Sequence, residues 1–371
     1  MKVKIGDLAK IRTGKLDANA SSEDGQYPFF TCSREPLKIS NYSYDCECVL
    51  VAGNGDLNVK YYNGKFDAYQ RTYIIEDNSG GQLYMPYLYY FMEGYIKELR
   101  RQAIGGVIKY IKLGNLTDAL IELPSVDAQK KIVNILKKAK QLLSLSNNEI
   151  LKLDELVNAR FVELFGDPYV NPLKWKKLKI KDAVTIEPQN GLYKPQSDYV
   201  TDGTGIPILR IDGFYDGMVT DFASLKRLKC SETERQRYLL LEDDIVINRV
   251  NSIEYLGKCA HIKELLEDTV YESNMMRMHF DPEYYNPVYI CKLLCSQFIY
   301  DQIVNHAKKS VNQASINQKD VLDFNIYQPP LDLQNEFADF VHQVNKSKVA
   351  IQKALDKTQM LFDSLMQEYF G

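Results

Sequence analysis

The sequence predicts an α+β protein in which two globular units of mixed α/β structure alternate with two long helices, as a pseudo-twofold internal repeat. Three observations predict it. First, Ile121–Gln129 (IELPSVDAQ) overlays Ile326–Gln334 (IYQPPLDLQ) at an offset of 205 residues, and the same offset later sets Phe165-Gly166 on Phe370-Gly371 without a gap. Second, each repeated segment carries a 4-3 apolar stripe over about 40 residues and has no internal Pro or Gly. Third, the stretches before the two stripes hold nearly all the Gly and Pro, most of the Tyr, and short strand-like runs.

Taken in chain order, residues 1–124 form the first globular unit, with strand-like runs at Cys48–Gly53 and Arg71–Glu76. Residues 125–166 form the first long helix. Its stripe reads Ile132, Leu136, Ala139, Leu143, Ser146, Ile150, Leu153, Val157, Arg160 and Leu164, broken only at Ser146 and Arg160. Gly166-Asp167-Pro168 stops that helix and opens a linker. Residues 167–328 form the second unit, with strand-like runs at Ile206–Ile211 and Asp244–Asn248. Both units begin alike, with Lys4-Ile5-x-Asp7 in one and Lys179-Ile180-x-Asp182 in the other. Residues 329–371 form the second long helix, whose stripe reads Phe337, Val341, Val344, Lys348, Ile351, Leu355, Thr358, Phe362, Leu365 and Tyr369. At 1.5 Å per residue each helix spans ~60 Å. A one-sided stripe of that length must be covered, and the shared length and register favour packing of the two helices on each other. The alternative is that each seals only its own unit.

Composition narrows the function. The 371 residues are 45% hydrophobic and 26% charged with a net charge of −3, which describes a globular chain and not a basic nucleic-acid binder. Any nucleic-acid role must therefore rest on local patches. No apolar run reaches the ~18 residues of a membrane helix, and the first ten residues lack a secretory apolar segment. The seven cysteines, at 32, 46, 48, 230, 259, 291 and 295, have neither a disulfide framework nor zinc spacing, which suits a reducing cytosol. Cys291 and Cys295, one helical turn apart, read as apolar packing.

Catalytic signatures are missing from the sequence. It has no GxxxxGK[ST] loop, no dinucleotide fingerprint, no HExxH and no GxSxG. The four histidines, His261, His279, His306 and His342, show no ligand spacing. Gln328-Pro329-Pro330-Leu331 lacks the first and last residues of the amino-methyltransferase motif, and its repeat partner Leu123-Pro124-Ser125-Val126 identifies it as a helix start. Asp243-Asp244 reads as a turn into a strand and not as a metal pair.

Segments of binding character remain. In the first unit they hold Ser33, Arg34, Asn54, Gln70, Arg71, Gly105, Gly106, Lys109 and Tyr110. In the second they hold Asn190, Tyr193, Lys194, Asn248, Arg249, Asn251, Ser252, Lys308, Lys309, Ser310, Asn312 and Gln313. Arg reads guanine and Asn or Gln reads adenine in the major groove, while Lys, Ser and backbone N–H groups hold phosphates. Gly lets backbone approach a duplex closely. Lys109 and Lys308/Lys309 occupy corresponding places ahead of the two repeated helices.

At this point the chain resembles the specificity (S) subunit of Type I restriction–modification systems over essentially its whole length. The sharpest likeness is Asp243-Asp244-Ile245-Val246-Ile247-Asn248-Arg249-Val250-Asn251-Ser252, continued to Gly257-Lys258, then Ser273-Asn274, Asn312-Gln313 and the Pro329–Gln334 helix start. The Leu164–Pro168 ending of the first helix is also similar. The family's usual Glu before the helix-start Gln is Ala128 in one repeat and Leu333 in the other, and the first unit lacks the Asn-Arg-x-Asn-Ser run and has Gly53-Asn54-Gly55 nearby instead. That difference suggests two units that read different sequences.

The resemblance implies two target recognition domains, each reading half of a bipartite, asymmetric double-stranded DNA site, joined by an antiparallel coiled coil. It implies assembly with two adenine-methylating modification subunits and with restriction subunits. Those partners would use S-adenosylmethionine, ATP and magnesium, while this chain would carry no cofactor, no metal and no catalytic residue. A cytoplasmic location and no membrane contact follow. A specificity protein of another restriction type, and a coiled-coil adaptor without DNA contact, are the alternative readings.

Overall fold

The computed structural model describes residues 2–215, 217–219 and 221–371. It divides into two compact units, Met1–Ile150 with Ala350–Gly371, and Leu151–Val349. Each long helix, Val126–Phe165 and Leu331–Phe370, is 40 residues long and contributes to both.

The first unit is built on a six-stranded sheet in the order Ala9–Thr13, Thr72–Asp77, Tyr44–Ala52, Val59–Ala68, Tyr27–Phe30, Leu37–Ile39. All neighbours are antiparallel except Val59–Ala68 with Tyr27–Phe30, which is parallel. The apolar run Val49–Val51 is fully buried because one face meets the helix Met85–Gln102 and the other an aromatic cluster of Phe30, Tyr44 and Phe66. A separate two-stranded pair, Lys2–Lys4 with Leu120–Glu122, leads into the long helix.

The second unit repeats that plan. Its sheet runs Val184–Asn190, Met275–Phe280, Ile245–Asn248, Cys259–His261, Gly217–Val219, Phe214–Tyr215, with the parallel pair again between the fourth and fifth strands. The two-stranded pair recurs as Lys176–Lys179 with Asn325–Gln328. The single large helix of the first unit is replaced by two, Pro287–Leu294 and Gln297–His306. Two further small sheets are peculiar to this unit. One joins Tyr199–Val200, Arg227–Leu228, Ile206–Leu209 and Val270–Tyr271. The other joins Val250–Asn251, Ala314–Ser315 and Lys308–Lys309.

Buried polar side chains repeat as faithfully as the sheets. Gln129 and Gln334, both fully buried, sit in the first turn of each long helix. The Gln129 amide accepts from the Tyr84 N–H at 2.8 Å and donates to the carbonyls of Gln82 and Pro124. Gln334 accepts from the Asn286 N–H at 2.9 Å and donates to Tyr284 and Pro329. Tyr87 donates to the Glu122 carbonyl and Tyr289 to that of Tyr327, again residues related by the repeat.

Along both long helices every position of the 4-3 stripe is buried or half-buried. In the second unit the helices pair antiparallel: Arg160 bonds Glu336 at 2.5 Å, Phe161 packs edge-on against Phe337, and Lys348 reaches Asp154. Two of the four polar breaks, Arg160 and Lys348, are therefore filled by interhelical ion pairs, and the Arg160 guanidinium also lies over the Phe340 ring; Thr358 instead donates to the Ala354 carbonyl of its own helix. In the first unit Ile132, Val133 and Leu136 from the start of one helix share a cluster with Phe362, Leu365, Met366, Tyr369 and Phe370 from the end of the other.

All seven cysteines are free. Cys291 packs in the core, whereas Cys295, at the helix end, is exposed. Asp244 is buried at the start of its strand, where it accepts from the Leu241 N–H, Arg277 and His279. Asp243 beside it takes a left-handed φ of 66°, so the pair makes a turn. Among the described residues, no helix is long and apolar enough to cross a membrane.

Candidate nucleic-acid interface

In the first unit four separate segments meet where the central strands end. The Gly53 N–H donates to the Arg71 carbonyl at 2.8 Å, tying the turn after Tyr44–Ala52 to the turn before Thr72–Asp77. Asn58 donates to the Cys32 carbonyl, and Lys60 to that of Ser33, which fastens the 31–34 turn alongside. Residues 104–110 close the group: Ile104 and Tyr110 exchange both backbone hydrogen bonds, Gly55 N–H donates to the Lys109 carbonyl, and Ile111 N–H to that of Gly53. Gly105 turns this loop with φ 119°, and a Cβ there would stand 2.5 Å from the Ile108 carbonyl oxygen.

The side chains at this edge are differently committed. Ser33 donates to the Glu35 carbonyl, and Gln70 to Asp17. Arg34 and Arg100 both hold Asp56, at 3.0 and 2.9 Å, and Arg34 first of all keeps that carboxyl below its usual range. Arg71, Gly105, Gly106, Lys109 and Tyr110 are exposed, while Asn54 is half-buried. Among the described residues, no hydrogen bond or ion pair engages the Lys109 ammonium.

The second unit assembles the matching edge from different residues. The Arg249 N–H donates to the Asn274 carbonyl at 2.8 Å, and the Ile316 N–H to the Arg249 carbonyl at 3.0 Å. Ile316 thus meets Arg249 as Ile111 meets Gly53, so Gly53-Asn54-Gly55 stands where the second unit has Arg249-Val250-Asn251. Ser273 N–H donates to the Leu192 carbonyl and brings in the 190–194 segment. Gly191 is needed there, because a Cβ would lie 2.3 Å from the Glu272 carbonyl oxygen. The Lys308–Ser315 hairpin pairs with Val250–Asn251.

Orientation separates the named residues of this unit. Asn248 is buried and donates to the Tyr255 carbonyl, so its side chain faces inward. The Arg249 Nη1 donates to the Ser273 carbonyl at 3.0 Å and not to Glu254, and its Nε is buried without a partner. Lys194 is held by Glu234 at 2.9 Å and by Asp198, with Glu234 the larger influence raising its pKa. Asn251 and Ser252 are half-buried, the Asn251 side chain accepting from the Ser252 N–H. Asn190, Tyr193, Lys308, Lys309, Ser310, Asn312 and Gln313 are exposed. Neither Lys308 nor Lys309 has an ion-pair partner among the described residues. Val107 and Val311, at the tips of the two hairpins, are the most exposed apolar side chains of the chain's described residues, and a sequence reading built on polar groups passes over them.

Comparison with known proteins gives a consistent result. Residues 1–155 and 172–358 match the family described as Type I restriction modification DNA specificity domain. The Escherichia coli Type I restriction enzyme EcoDI specificity subunit is 29% identical over 403 residues, covering 98% of this chain and 85% of that protein. The EcoKI specificity subunit of E. coli K12 is 28% identical over 251 residues, covering 66% of this chain but about half, 51%, of that one. Among solved structures, the S subunit of a Type I restriction–modification system from M. genitalium superposes with a TM-score of 0.64 at 15% identity, covering 100% of this chain and 96% of that one. A chain from a structure of a type I R-M system complex gives 0.59, also at 15% identity, covering 100% and 97%. At such identities the structural likeness speaks for the fold alone.

Proposed function

The chain belongs to the Type I restriction–modification DNA-specificity family, and on that premise we propose that it reads a bipartite, asymmetric DNA site, one half with each unit. As a specificity subunit with two recognition domains it is not itself catalytic. In the proposal, residues 1–124 and 167–328 are the two readers, and residues 125–166 and 329–371 are the helices that carry them. The observation that supports this reading most is the pair of equivalent loop edges on two sheets that share connectivity over their first four strands, furnished with different side chains. Equivalent frames offer two copies of one partner the same footing, while unlike loops select unlike bases.

The partners follow from the same reading: two modification subunits that methylate adenine with S-adenosylmethionine, and restriction subunits that use ATP and magnesium, acting on cytoplasmic DNA. Methyladenine mapping in a host with and without this chain tests it. The expected result is one bipartite motif that vanishes with the chain, and an unchanged methylation map would refute the reading. Binding of the assembled methyltransferase to that motif should fall steeply with salt as phosphate contacts release counterions.

A further inference from the structure

We propose that Val107 and Val311 are paired base-reading tips, each packing against a thymine C5-methyl group in the major groove of its own half-site. The proposal rests on the DNA-reading function above and adds residues that polar-contact reasoning does not supply.

The two valines are 103% and 95% exposed, and Ile108 beside the first is 62% exposed. Single exposed apolar residues are ordinary on protein surfaces. These two are not scattered. Each stands at the tip of a hairpin a few residues ahead of the repeated Ile111 or Ile316. Each hairpin is closed by backbone bonds, Ile104 with Tyr110 in one and Ser310 N–H to the Gln313 carbonyl at 2.7 Å in the other. Each is fastened to the segment that ends the central strand of its sheet.

Local stereochemistry does not ask for valine there. Tight turns favour Gly, Asn, Asp and Ser, whereas a β-branched residue prefers a strand. Gly105, Gly106, Ser310 and Asn312 already supply the turn chemistry. Full exposure also forgoes any burial within the chain, so the side chain has no stabilising role at home. Flanking the tips, Lys109, Lys308 and Lys309 are exposed, which suits phosphates on either side of a groove. A two-stranded ribbon fits the major groove, and the one apolar group a base edge offers there is the thymine methyl.

The test uses the chain assembled with its modification subunits and a duplex carrying the methylated motif recovered from the host. Each thymine of both half-sites is replaced in turn by deoxyuridine, which removes only the methyl group. We expect one replacement in each half-site to weaken wild-type binding about fourfold, the worth of one buried methyl. Val107→Ser should weaken the thymine duplex by the same factor and be indifferent to deoxyuridine in the first half-site, and Val311→Ser should do the same in the second. Melting temperatures should be unchanged, because both side chains are fully exposed. Neutral deoxyuridine at every position overturns the proposal, even if the serine variants bind weakly, as a base-step wedge would predict. So does a serine variant that keeps the full methyl penalty. If the wild-type assembly binds the motif no better than a scrambled duplex, the recognition function itself fails, and the proposal with it.

Discussion

Gln334 accepts one backbone hydrogen bond and donates two more, all in the interior, and Gln129 does the same one repeat earlier. Replacing Gln334 by Leu strands the Asn286 N–H and two carbonyls, and an unpaired buried polar group costs ~1–3 kcal/mol. Denaturant unfolding of Gln334→Leu should therefore show a loss of about 2–4 kcal/mol. The matching glutamines were visible in the sequence as repeat identities, as were the prolines five residues before them whose carbonyls they bind, but the other partners, Gln82 and Tyr84 in one repeat and Tyr284 and Asn286 in the other, lie 45–50 residues upstream and carry no local signal. Arg249 shows the same limit from the other side. The Asn-Arg-x-Asn-Ser run marks the segment, yet only the fold turns Asn248 inward and leaves Arg249 half-buried with an unpartnered Nε. Arg249→Ala should cost about 1–3 kcal/mol in binding and relax one position of the second half-site. Titration against single-base variants of the motif at two salt concentrations checks this, and an undiminished affinity takes Arg249 off the DNA face. His261 adds a pH dependence. Burial, above all, lowers its pKa from the ordinary 6.5, although Asp243 at 2.8 Å opposes the shift. The unfolded chain therefore takes up a proton before the folded one does, and stability should fall as pH drops through the mid-sixes. His261→Gln should flatten that part of the melting-temperature profile.

The long helices were the most legible elements, because a period of 3.5 survives any ignorance of what lies opposite. Every stripe position is sheltered, including the four polar ones. The sequence registers those polar breaks without saying what fills them; for two of the four, the antiparallel pairing of the second unit answers with Lys348 on Asp154 and Arg160 on Glu336. The sheets were legible only as isolated apolar runs. Their six-stranded order, with one parallel pair, depends on contacts too distant in sequence for any periodicity to encode. An interhelical ion pair at a stripe position should fix register more than it adds stability. Asp154→Lys and Lys348→Asp should each cost about 1 kcal/mol, and the double exchange should recover most of it, since the side chains are only partly exposed, at 39% and 18%. A thermal melt of the three variants measures the coupling, and additive losses would show that the pair contributes no specificity.

At the scale of the whole chain, the repeat joins equivalent frames to unlike edges. Ile111 and Ile316 make the same backbone bond to the segment after the central strand, but that segment begins at a glycine in one unit and an arginine in the other. A frame that keeps its hydrogen bonds through the backbone can exchange its side chains freely, so recognition in one unit should change without disturbing the other. Exchanging residues 1–124 for the corresponding unit of another family member should then alter one half of the methylated motif and leave the other half and the spacer as they were. The junction lies just before the first turn of the long helix, so the graft must keep Gln129 and supply the backbone groups it binds, or the chain will lose stability before it loses specificity. Methyladenine mapping reads all three features at once. A change in both halves would mean that the units do not read independently. A changed spacer with both halves intact would place the fault in the helices instead, because the proposed function gives the spacing to them and the base reading to the loop edges.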